Sequence, residues 1–474
     1  MLAVALDRSI LLAAEPGTGK TLVGLKVIED FKRRGIGPAL VVCPLSLIET
    51  AWMEDAARFT PDLKLVNLWH PTQKGREARL SQPADAYVVN YESWKSLRLR
   101  MYDMRFRLLV LDESSKLKNV SSAITRMMTR FALQVPHRVL LSGTPTPNSL
   151  LELFPQMRCV RPAVLGQNYI AFRDLYFYPN RQVEVSARVR DERGRPVLDA
   201  VQGTEGVEYR ERRERRTVGT DWRITEANRA RLMQAVAEDV LWIAKKDCLD
   251  LPPLVDEIRE FEMDAAARKA YVSIMSRNAE KYGDYNVLPG NALKDVMKAR
   301  QTTSGFLIDD DGEVHDLSRK RFNLLKEELE FLGHEQAIIF ATFHWEIDRI
   351  KEMLNDLGKE YAELHGRVDP AIRPEQIRRF KCGQAQYLVA HPASCGHGQN
   401  LQNCCYAIYF SLDYSPEEFT QSRERMARPG QTRKMTCVFL RAKKTIDRRI
   451  YETLKNKGDM AVAALEELRK YQGK

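Results

Sequence analysis

The feature that most constrains the fold is an alternation of short apolar runs with amphipathic stretches, in two separate blocks. Runs bounded by Gly, Pro or acidic residues and separated by helical patterns are typical of buried parallel strands. In the first block they lie at Ile10–Ala14, Ala39–Cys43, Ala86–Asn90, Leu108–Leu111 and Arg138–Ser142. In the second block they lie at Ala337–Ala341, Glu360–Leu364, Tyr387–Ala390, Tyr406–Phe410 and Met435–Leu440. The pattern predicts an α/β protein with two lobes, each built on a parallel sheet.

The middle of the chain breaks this rhythm. Residues 167–223 are polar and rich in Arg and Glu, and they include the charged run Glu211–Arg216. We expect a helical, charged insertion and linker over residues 166–255, between lobe 1 (1–165) and lobe 2 (256–474). The charged run is either a nuclear-localisation or DNA-binding patch or a solvated helix, and its interleaved glutamates favour the helix. Further helical patterns cover Ile224–Asp250, Met263–Gly283 and Thr445–Leu468.

Composition excludes several classes of protein. The 474 residues carry a formal net charge of +10, which hints at a polyanionic partner. No apolar run is long enough to span a membrane, and Asp7 and Arg8 interrupt any secretory signal at the start. The eight cysteines are scattered, so neither a zinc site nor a disulfide framework is expected. We therefore expect a protein of the reducing cytoplasm.

A glycine-rich segment joins the first apolar run to a helical pattern, as a phosphate-binding loop requires. The glycines let backbone N–H groups face phosphate oxygens, and the helix N-terminus adds partial positive charge. In this pattern Lys20 reaches the β- and γ-phosphates and the Thr21 hydroxyl binds Mg²⁺. The alternative is an ordinary turn before a helix. The segment comprises Ala14, Glu15, Pro16, Gly17, Thr18, Gly19, Lys20 and Thr21.

Two adjacent carboxylates, Asp112 and Glu113, follow the run Leu108–Leu111. Ligands bind at the carboxyl ends of strands in open α/β sheets, so this position favours a role in catalysis. We expect Asp112 to hold Mg²⁺ and Glu113 to polarise the attacking water. By itself, the pair is also compatible with two acids that complement a helix dipole.

Two other segments contribute candidates with simple structural alternatives. Ser142, Gly143 and Thr144 follow an apolar run, and they form either a turn that senses the γ-phosphate or an ordinary Gly-Pro turn. Arg425 and Arg428 are three residues apart, so on a helix they share a face. They are candidates for neutralising phosphate charge, although alone a solvated basic face is the better interpretation.

Taken in order, these segments resemble the motifs of the Swi/Snf-like DNA translocases of helicase superfamily 2. Ala14–Thr21 resembles motif I, and Asp112–Asn119 resembles motif II. The closing Gly430 and Gln431 resemble the end of motif VI that distinguishes this family. The remaining motifs match Val41–Leu47, Val89–Glu92, Leu141–Pro145 with Asn148, Ala337–Phe343, His365–Gly366 with Arg373, Gly396–Leu401 and Gln421–Gln431.

The resemblance implies two RecA-like lobes with ATP and Mg²⁺ in the cleft between them. It implies that Lys20, Asp112 and Glu113 act in catalysis and that Arg425 and Arg428 are arginine fingers. Further ATP contacts are implied for Glu15, Pro16, Gly17, Thr18, Gly19, Thr21, Gly398 and Gln421, with Thr21 and Asp112 holding the metal. Coupling is implied for Ser142, Gly143 and Thr144, and nucleic-acid contact for Ser46, Tyr91, Thr342 and Asn400.

The function implied is an ATP-driven motor that moves along double-stranded DNA and is recruited by a protein partner. A strand-separating helicase or an RNA-dependent ATPase is the nearest alternative. A non-catalytic DNA-binding module with a vestigial ATP site is another, although the intact Lys20 and acid pair argue against it. The family's adenine-reading glutamine is not seen before motif I, and Ser115 and Ala427 stand where many relatives have His. With no accessory domain recognised, we expect a minimal bacterial or phage engine.

Overall fold

The structure is a computed structural model that describes residues 8–188, 198–203, 206–211, 213–282, 291–309, 312–395 and 401–468. The chain divides into two compact units, which are described separately. The first unit comprises Met1–Phe172, Ala230–Glu262 and Arg319–Lys474, and the second comprises Arg173–Arg229 and Met263–Ser318. Among the described residues, no helix combines the length and apolarity needed to cross a membrane.

Lobe 1, in the first unit, is built on a seven-stranded sheet in which all pairs are parallel. All the first-block strands that the sequence predicts are present, because each is an apolar run buried on both faces. The short strand Leu65–Asn67 was not predicted. The strand Val240–Ile243 lies inside Ile224–Asp250, which was predicted to be helical throughout and is helical only at Glu226–Val236 and Lys245–Asp247. The order across the sheet is Val240–Ile243, Ile10–Ala14, His137–Ser142, Leu108–Asp112, Ala39–Cys43, Ala86–Asn90 and Leu65–Asn67.

Helices connect and cover these strands, and the largest fully buried side chains among them are Trp94 and Trp52. Trp94 lies on the helix Tyr91–Asp103. Trp52 belongs to a π-helical stretch, Ile48–Met53, and packs into a core with Leu25 and Val41. The other helical segments of lobe 1 are Lys20–Arg33, Leu45–Leu47, Glu54–Phe59, Gln73–Leu80, Tyr91–Asp103, Ser114–Leu117, Ala123–Ala132, Leu150–Glu152 and Leu153–Val160. Short helical segments also lie at Tyr169–Tyr176, Glu226–Val236 and Lys245–Asp247.

Lobe 2, also in the first unit, is built on a six-stranded parallel sheet. The second-block strands are present as predicted, and Leu254–Phe261 adds an edge strand that was not predicted. Strand order is Leu254–Phe261, Met435–Ala442, Tyr406–Tyr409, Ala337–Phe340, Tyr387–Ala390 and Tyr361–Leu364. Its helical segments are Lys320–Leu332, His344–Asp356, Arg373–Lys381, Pro392–Cys395, Pro416–Arg423 and Ile446–Leu468. The prediction of two parallel-sheet lobes is therefore confirmed.

The second unit corrects the prediction of a helical insertion. Phe177–Arg188 pairs antiparallel with Arg213–Ile224, and Leu198–Gly203 pairs antiparallel with Gly206–Glu211. The charged run Glu211–Arg216 thus falls in strands, apart from residue 212, which lies outside the described residues. The physical reason is visible in Gln182–Ser186, where polar and apolar residues alternate with the period of a strand. The unit also contains helices Ala265–Tyr282 and Asn291–Thr303 and a hairpin of Phe306–Ile308 with Val314–Asp316.

Candidate functional site

The predicted phosphate loop lies between the strand Ile10–Ala14, second from one edge of the sheet, and the helix Lys20–Arg33. Gly17 and Gly19 have φ values of +90° and +86°, a left-handed conformation that side chains with a Cβ rarely adopt. Two bonds hold the loop. The Glu15 N–H donates to the Ile243 carbonyl at 3.1 Å, and the Thr18 hydroxyl donates to the Glu15 carbonyl at 2.7 Å. The loop is therefore preshaped with its N–H groups at the helix start.

The Lys20 side chain folds back into this loop. Its Nζ donates to the Ala14 carbonyl at 2.5 Å, so the ammonium is held at the end of the first strand. Desolvation lowers the pKa of Lys20 to about 8, although the negative charges of Glu113 and Asp112 oppose the shift. A partly desolvated cation beside a preshaped loop is suited to an anionic ligand such as a phosphate.

Asp112, at the end of its strand, has a defined partner for each carboxylate oxygen. The Trp52 indole Nε1 donates to Oδ2 at 2.9 Å, and the Glu113 N–H donates to Oδ1 at 2.9 Å. Burial raises the pKa of Asp112, and the Trp52 bond and Lys20 oppose that shift. Sequence reasoning missed Trp52, which no local pattern distinguishes from an ordinary core residue.

Glu113 lies at φ +54°, which turns its backbone away from the strand. Burial raises the pKa of its carboxyl to about 7 against the charge of Lys20, and Asp112 and Glu417 add to the rise. The Ser115 hydroxyl donates to Glu113 Oε1 at 3.0 Å. A carboxyl that titrates near neutral pH is suited to accept a proton as a general base.

The two candidate arginines lie beyond the end of a helix, so the shared helical face that their spacing would allow is not formed. The helix Pro416–Arg423 ends before them. The Nε atoms of Arg425 and Arg428 donate to the carbonyls of Gln421 and Glu424 at 3.1 and 3.2 Å. Burial and the neighbouring Arg428 lower the pKa of Arg425 to about 10.

One cavity of about 610 Å³ lies between the two lobes and brings most of the candidates together. An added Cβ on Gly17 would lie 3.5 Å from the Pro429 ring and 3.6 Å from Arg428. The phosphate loop and residues 424–431, called the arginine segment below, are therefore neighbours. Predicted residues that line the cavity are Pro16, Gly17, Gly19, Lys20, Thr21, Asp112, Glu113, Gly143, Thr144, Gln421, Arg425 and Arg428.

Ion pairs join the lobes beside this cavity. Lys118 of lobe 1 contacts Glu417 of lobe 2 at 2.8 Å. Lys245, which follows the edge strand of lobe 1, lies 3.5 Å from Glu424 of lobe 2, and its backbone N–H donates to the Glu15 carboxylate. The phosphate loop is thus connected to the arginine segment through Lys245.

The turn at Ser142, Gly143 and Thr144 lies directly against the phosphate loop. The buried Ser142 hydroxyl accepts from the Thr144 N–H at 3.2 Å. An added Cβ on Gly143 would lie 3.0 Å from the Pro16 ring and 3.6 Å from Lys20 Nζ, so this close approach favours glycine. The position suits the predicted coupling role, which stays a prediction.

The predicted nucleic-acid contacts occupy different environments. Ser46 is exposed, and Thr342 is half-buried with its hydroxyl 2.8 Å from that of Ser411. Tyr91 is buried, and its hydroxyl donates to the Asp112 carbonyl at 3.0 Å, so the phenol faces the acid pair. Gly398 and Asn400 lie outside the described residues.

The closing Gln431 has a structural role in the fold. Its Nε2 donates to the carbonyls of Gln402 and Cys404, both at 3.0 Å. Its Oε1 accepts from the N–H groups of Thr432 and Arg433, both at 3.1 Å. The glutamine therefore clamps the end of the arginine segment to the loop before the strand Tyr406–Tyr409.

The fold and site define a two-lobed, phosphate-loop ATPase core of the helicase-like type. A family model described as "SNF2-related domain" matches residues 3–305, more than half of the chain. A second, "Helicase conserved C-terminal domain", matches residues 320–430. The chain belongs to the SNF2 family of helicase-like ATPases, as its motifs predict.

Relatives include large and small proteins. The chain is 22% identical over 478 residues to "Chromodomain-helicase-DNA-binding protein 1-like" of Danio rerio, covering 97% of this chain but only 42% of that protein. It is 25% identical over 482 residues to "Putative protein p41" of Acyrthosiphon pisum secondary endosymbiont phage 1, covering 96% of this chain and 94% of that one. Among solved structures, "Sulfolobus solfataricus SWI2/SNF2 ATPase core in complex with dsDNA" is 20% identical with a TM-score of 0.41, covering 99% of this chain and 93% of that chain.

Proposed function

We propose that this chain is a DNA-dependent ATPase that moves along double-stranded DNA. One observation carries the proposal: the phosphate loop and acid pair of lobe 1 and the arginines of lobe 2 line one cavity. Neither lobe supplies the full set of groups. Hydrolysis in such a site depends on how the lobes are placed, which is what a motor requires.

Each group has a distinct role in this proposal. Lys20 contacts the phosphates, and Arg425 and Arg428 neutralise the charge that develops during transfer. Glu113, with its pKa near neutral, accepts a proton from the attacking water. The desolvated arginines beside Lys20 make the cavity strongly attractive to a polyphosphate.

The oxygen donors near the loop fit Mg²⁺. Thr21 and Asp112 both line the cavity, and hydroxyl and carboxylate oxygens are ligands that Mg²⁺ prefers. Trp52 and the Glu113 N–H orient the Asp112 carboxylate, as outer partners of a metal ligand do. When bound, Mg²⁺ would neutralise phosphate charge.

Movement along DNA follows if each lobe grips the backbone and the lobes close and part with each turnover. We propose Ser46, Thr342 and Asn400 as backbone contacts, and an indirect role for Tyr91 through the acid pair that its hydroxyl contacts. Backbone contacts are largely independent of sequence and weaken as salt rises. The net charge of +10 and the printed name of the Danio rerio relative, which includes the words DNA-binding, support DNA as the ligand.

The test is ATP turnover titrated in parallel with double-stranded DNA, single-stranded DNA and RNA. We expect double-stranded DNA to stimulate turnover most, and Lys20→Ala to lower it at least about 100-fold. Lys32→Ala is the matched control, since Lys32 lies on the same helix and pairs with Asp85, and neither residue lines the cavity. If none of the three nucleic acids changes the rate of ATP turnover, the proposal of a DNA motor is overturned. Stimulation by RNA alone, or strand separation, would point to the alternative helicase functions.

A further inference from the structure

Two adjacent serines follow the acid pair, and their hydroxyls point in different directions. Ser115 donates to the Glu113 carboxylate at 3.0 Å, whereas Ser114 donates to Gln156 Oε1 at 2.8 Å. Both serines are fully buried. The segment that holds Glu113 is therefore tied to a second element of lobe 1, the helix Leu153–Val160.

Gln156 is fully buried, and each end of its amide is bonded. Its Oε1 accepts from Ser114, and its Nε2 donates to the Pro145 carbonyl at 2.6 Å and to the Glu152 carbonyl at 2.9 Å. Burying an amide is costly unless its partners are in place, so this geometry is strongly specified. One side chain thus joins the segment after Glu113 to the end of the turn that carries Gly143.

That turn contacts the phosphate loop directly. Gly143, two residues before Pro145, approaches the Pro16 ring and the Lys20 ammonium. A path of short contacts therefore runs from Glu113 through Ser114, Gln156 and Pro145 back to the loop. As far as Pro145, each link is either covalent or a hydrogen bond of 2.8 Å or less, and the last step, from Gly143 to Pro16, is a close approach without a hydrogen bond.

We propose that Gln156 is a positioning residue that couples the acid pair to the Gly143 turn. Nucleotide binding against one of these segments then also stabilises the other. The proposal rests on the proposed ATPase function. It assigns a role to a side chain that does not line the cavity, and it gives a reason for a fully buried amide in the helix Leu153–Val160.

The variants must separate coupling from packing. Gln156→Leu alone leaves the Ser114 hydroxyl unpaired in the core, which destabilises the fold. The double variant Ser114→Ala with Gln156→Leu replaces the side-chain bond by two apolar groups, so no hydroxyl is left unpaired, and what is lost is the Gln156 donor to the Pro145 and Glu152 carbonyls. Gln336→Leu is the matched control, because Gln336 also donates to two carbonyls, those of Phe380 and Ala385, but in lobe 2.

The measurement is hydrogen–deuterium exchange with and without the magnesium salt of a non-hydrolysable ATP analogue. In the wild type we expect the analogue to slow exchange at least about fivefold both in residues 113–118 and in residues 143–149. In the double variant we expect protection in the first segment only. We also expect its kcat to fall about tenfold while the KM for ATP changes less than about twofold. Gln336→Leu should resemble the wild type.

Two results would overturn the coupling role. One is a double variant that is protected in both segments and turns over ATP normally, since Gln156 would then serve packing alone. The other is a wild type whose Gly143 turn gains no protection when the analogue binds. The exchange experiment contains no DNA. If DNA failed to stimulate turnover, the proposed motor would be overturned, but the exchange data would still test the coupling role of Gln156.

Discussion

At the scale of single residues, the environment of Glu113 predicts a pH dependence. Its carboxyl titrates near pH 7 and acts as a base only when ionised, so kcat/KM should fall as the pH drops below about 7. Lys20 has a pKa of about 8 and loses its charge above it, so activity should also fall on the alkaline side. The expected profile is a bell with its maximum between these values, measured as ATP turnover against pH.

Ser115 provides a direct check on this assignment. Its hydroxyl donates to the Glu113 carboxylate and thereby lowers the pKa of that carboxyl. Ser115→Ala should therefore move the acidic limb of the profile to higher pH. Ser121→Ala is the control, because Ser121 is exposed and its hydroxyl bonds to Asn119, not to the acid pair. If the acidic limb of the Ser115→Ala profile stays at the same pH, Glu113 is not the base whose titration sets that limb.

Trp52 also acts at the residue scale, through Asp112. Trp52→Phe keeps the ring but removes the Nε1 donor from Oδ2, so the carboxylate loses an orienting bond. We expect the Mg²⁺ concentration for half-maximal turnover to rise about tenfold or more. Trp94→Phe is the control, since Trp94 is equally buried and its Nε1 has no hydrogen-bond partner in the described part of the chain. A similar Mg²⁺ requirement in both variants would contradict the role of Trp52.

At the scale of elements, the helix after the phosphate loop depends on a glycine for its packing. An added Cβ on Gly24 would lie 2.6 Å from the Trp52 ring, so the helix and the π-helical stretch approach too closely for alanine. Gly24→Ala should destabilise the protein by about 1–3 kcal/mol, measured by urea denaturation. Gly366→Ala, where a Cβ meets nothing within 4 Å, should change stability little. Equal stability of the two variants would show that Trp52 moves aside freely.

Elements also show how far sequence reasoning reaches. The strands of the first block were predicted because each is a short, fully buried apolar run such as Leu108–Asp112. The edge strands Val240–Ile243 and Leu254–Phe261 were missed, because they are strands only through pairing with a neighbour. The insertion was predicted as helical because its charge hid the alternation at Gln182–Ser186.

At the scale of the whole molecule, the ion pair of Lys118 with Glu417 joins the lobes beside the cavity. Glu417→Lys places two cations together and should lower DNA-stimulated turnover severalfold. The exchange variant Lys118→Glu with Glu417→Lys should restore turnover to within about twofold of the wild type, since the two sites couple. Glu352→Lys, which breaks an exposed pair within lobe 2, should have no such effect. An exchange variant as impaired as the single one would contradict a role for this pair.

The sequence by itself determined the two-lobed class and the residue types available for chemistry. The phosphate loop and the acid pair are local patterns at strand ends, so their positions could be predicted from neighbours along the chain. Only the tertiary structure decided that Arg425 and Arg428 line the same cavity as Lys20, that Trp52 bonds to Asp112, and that Gln156 bonds to Ser114 next to the acid pair. The physical reason is that these contacts, and the pKa values they create, depend on burial between segments that are distant in sequence.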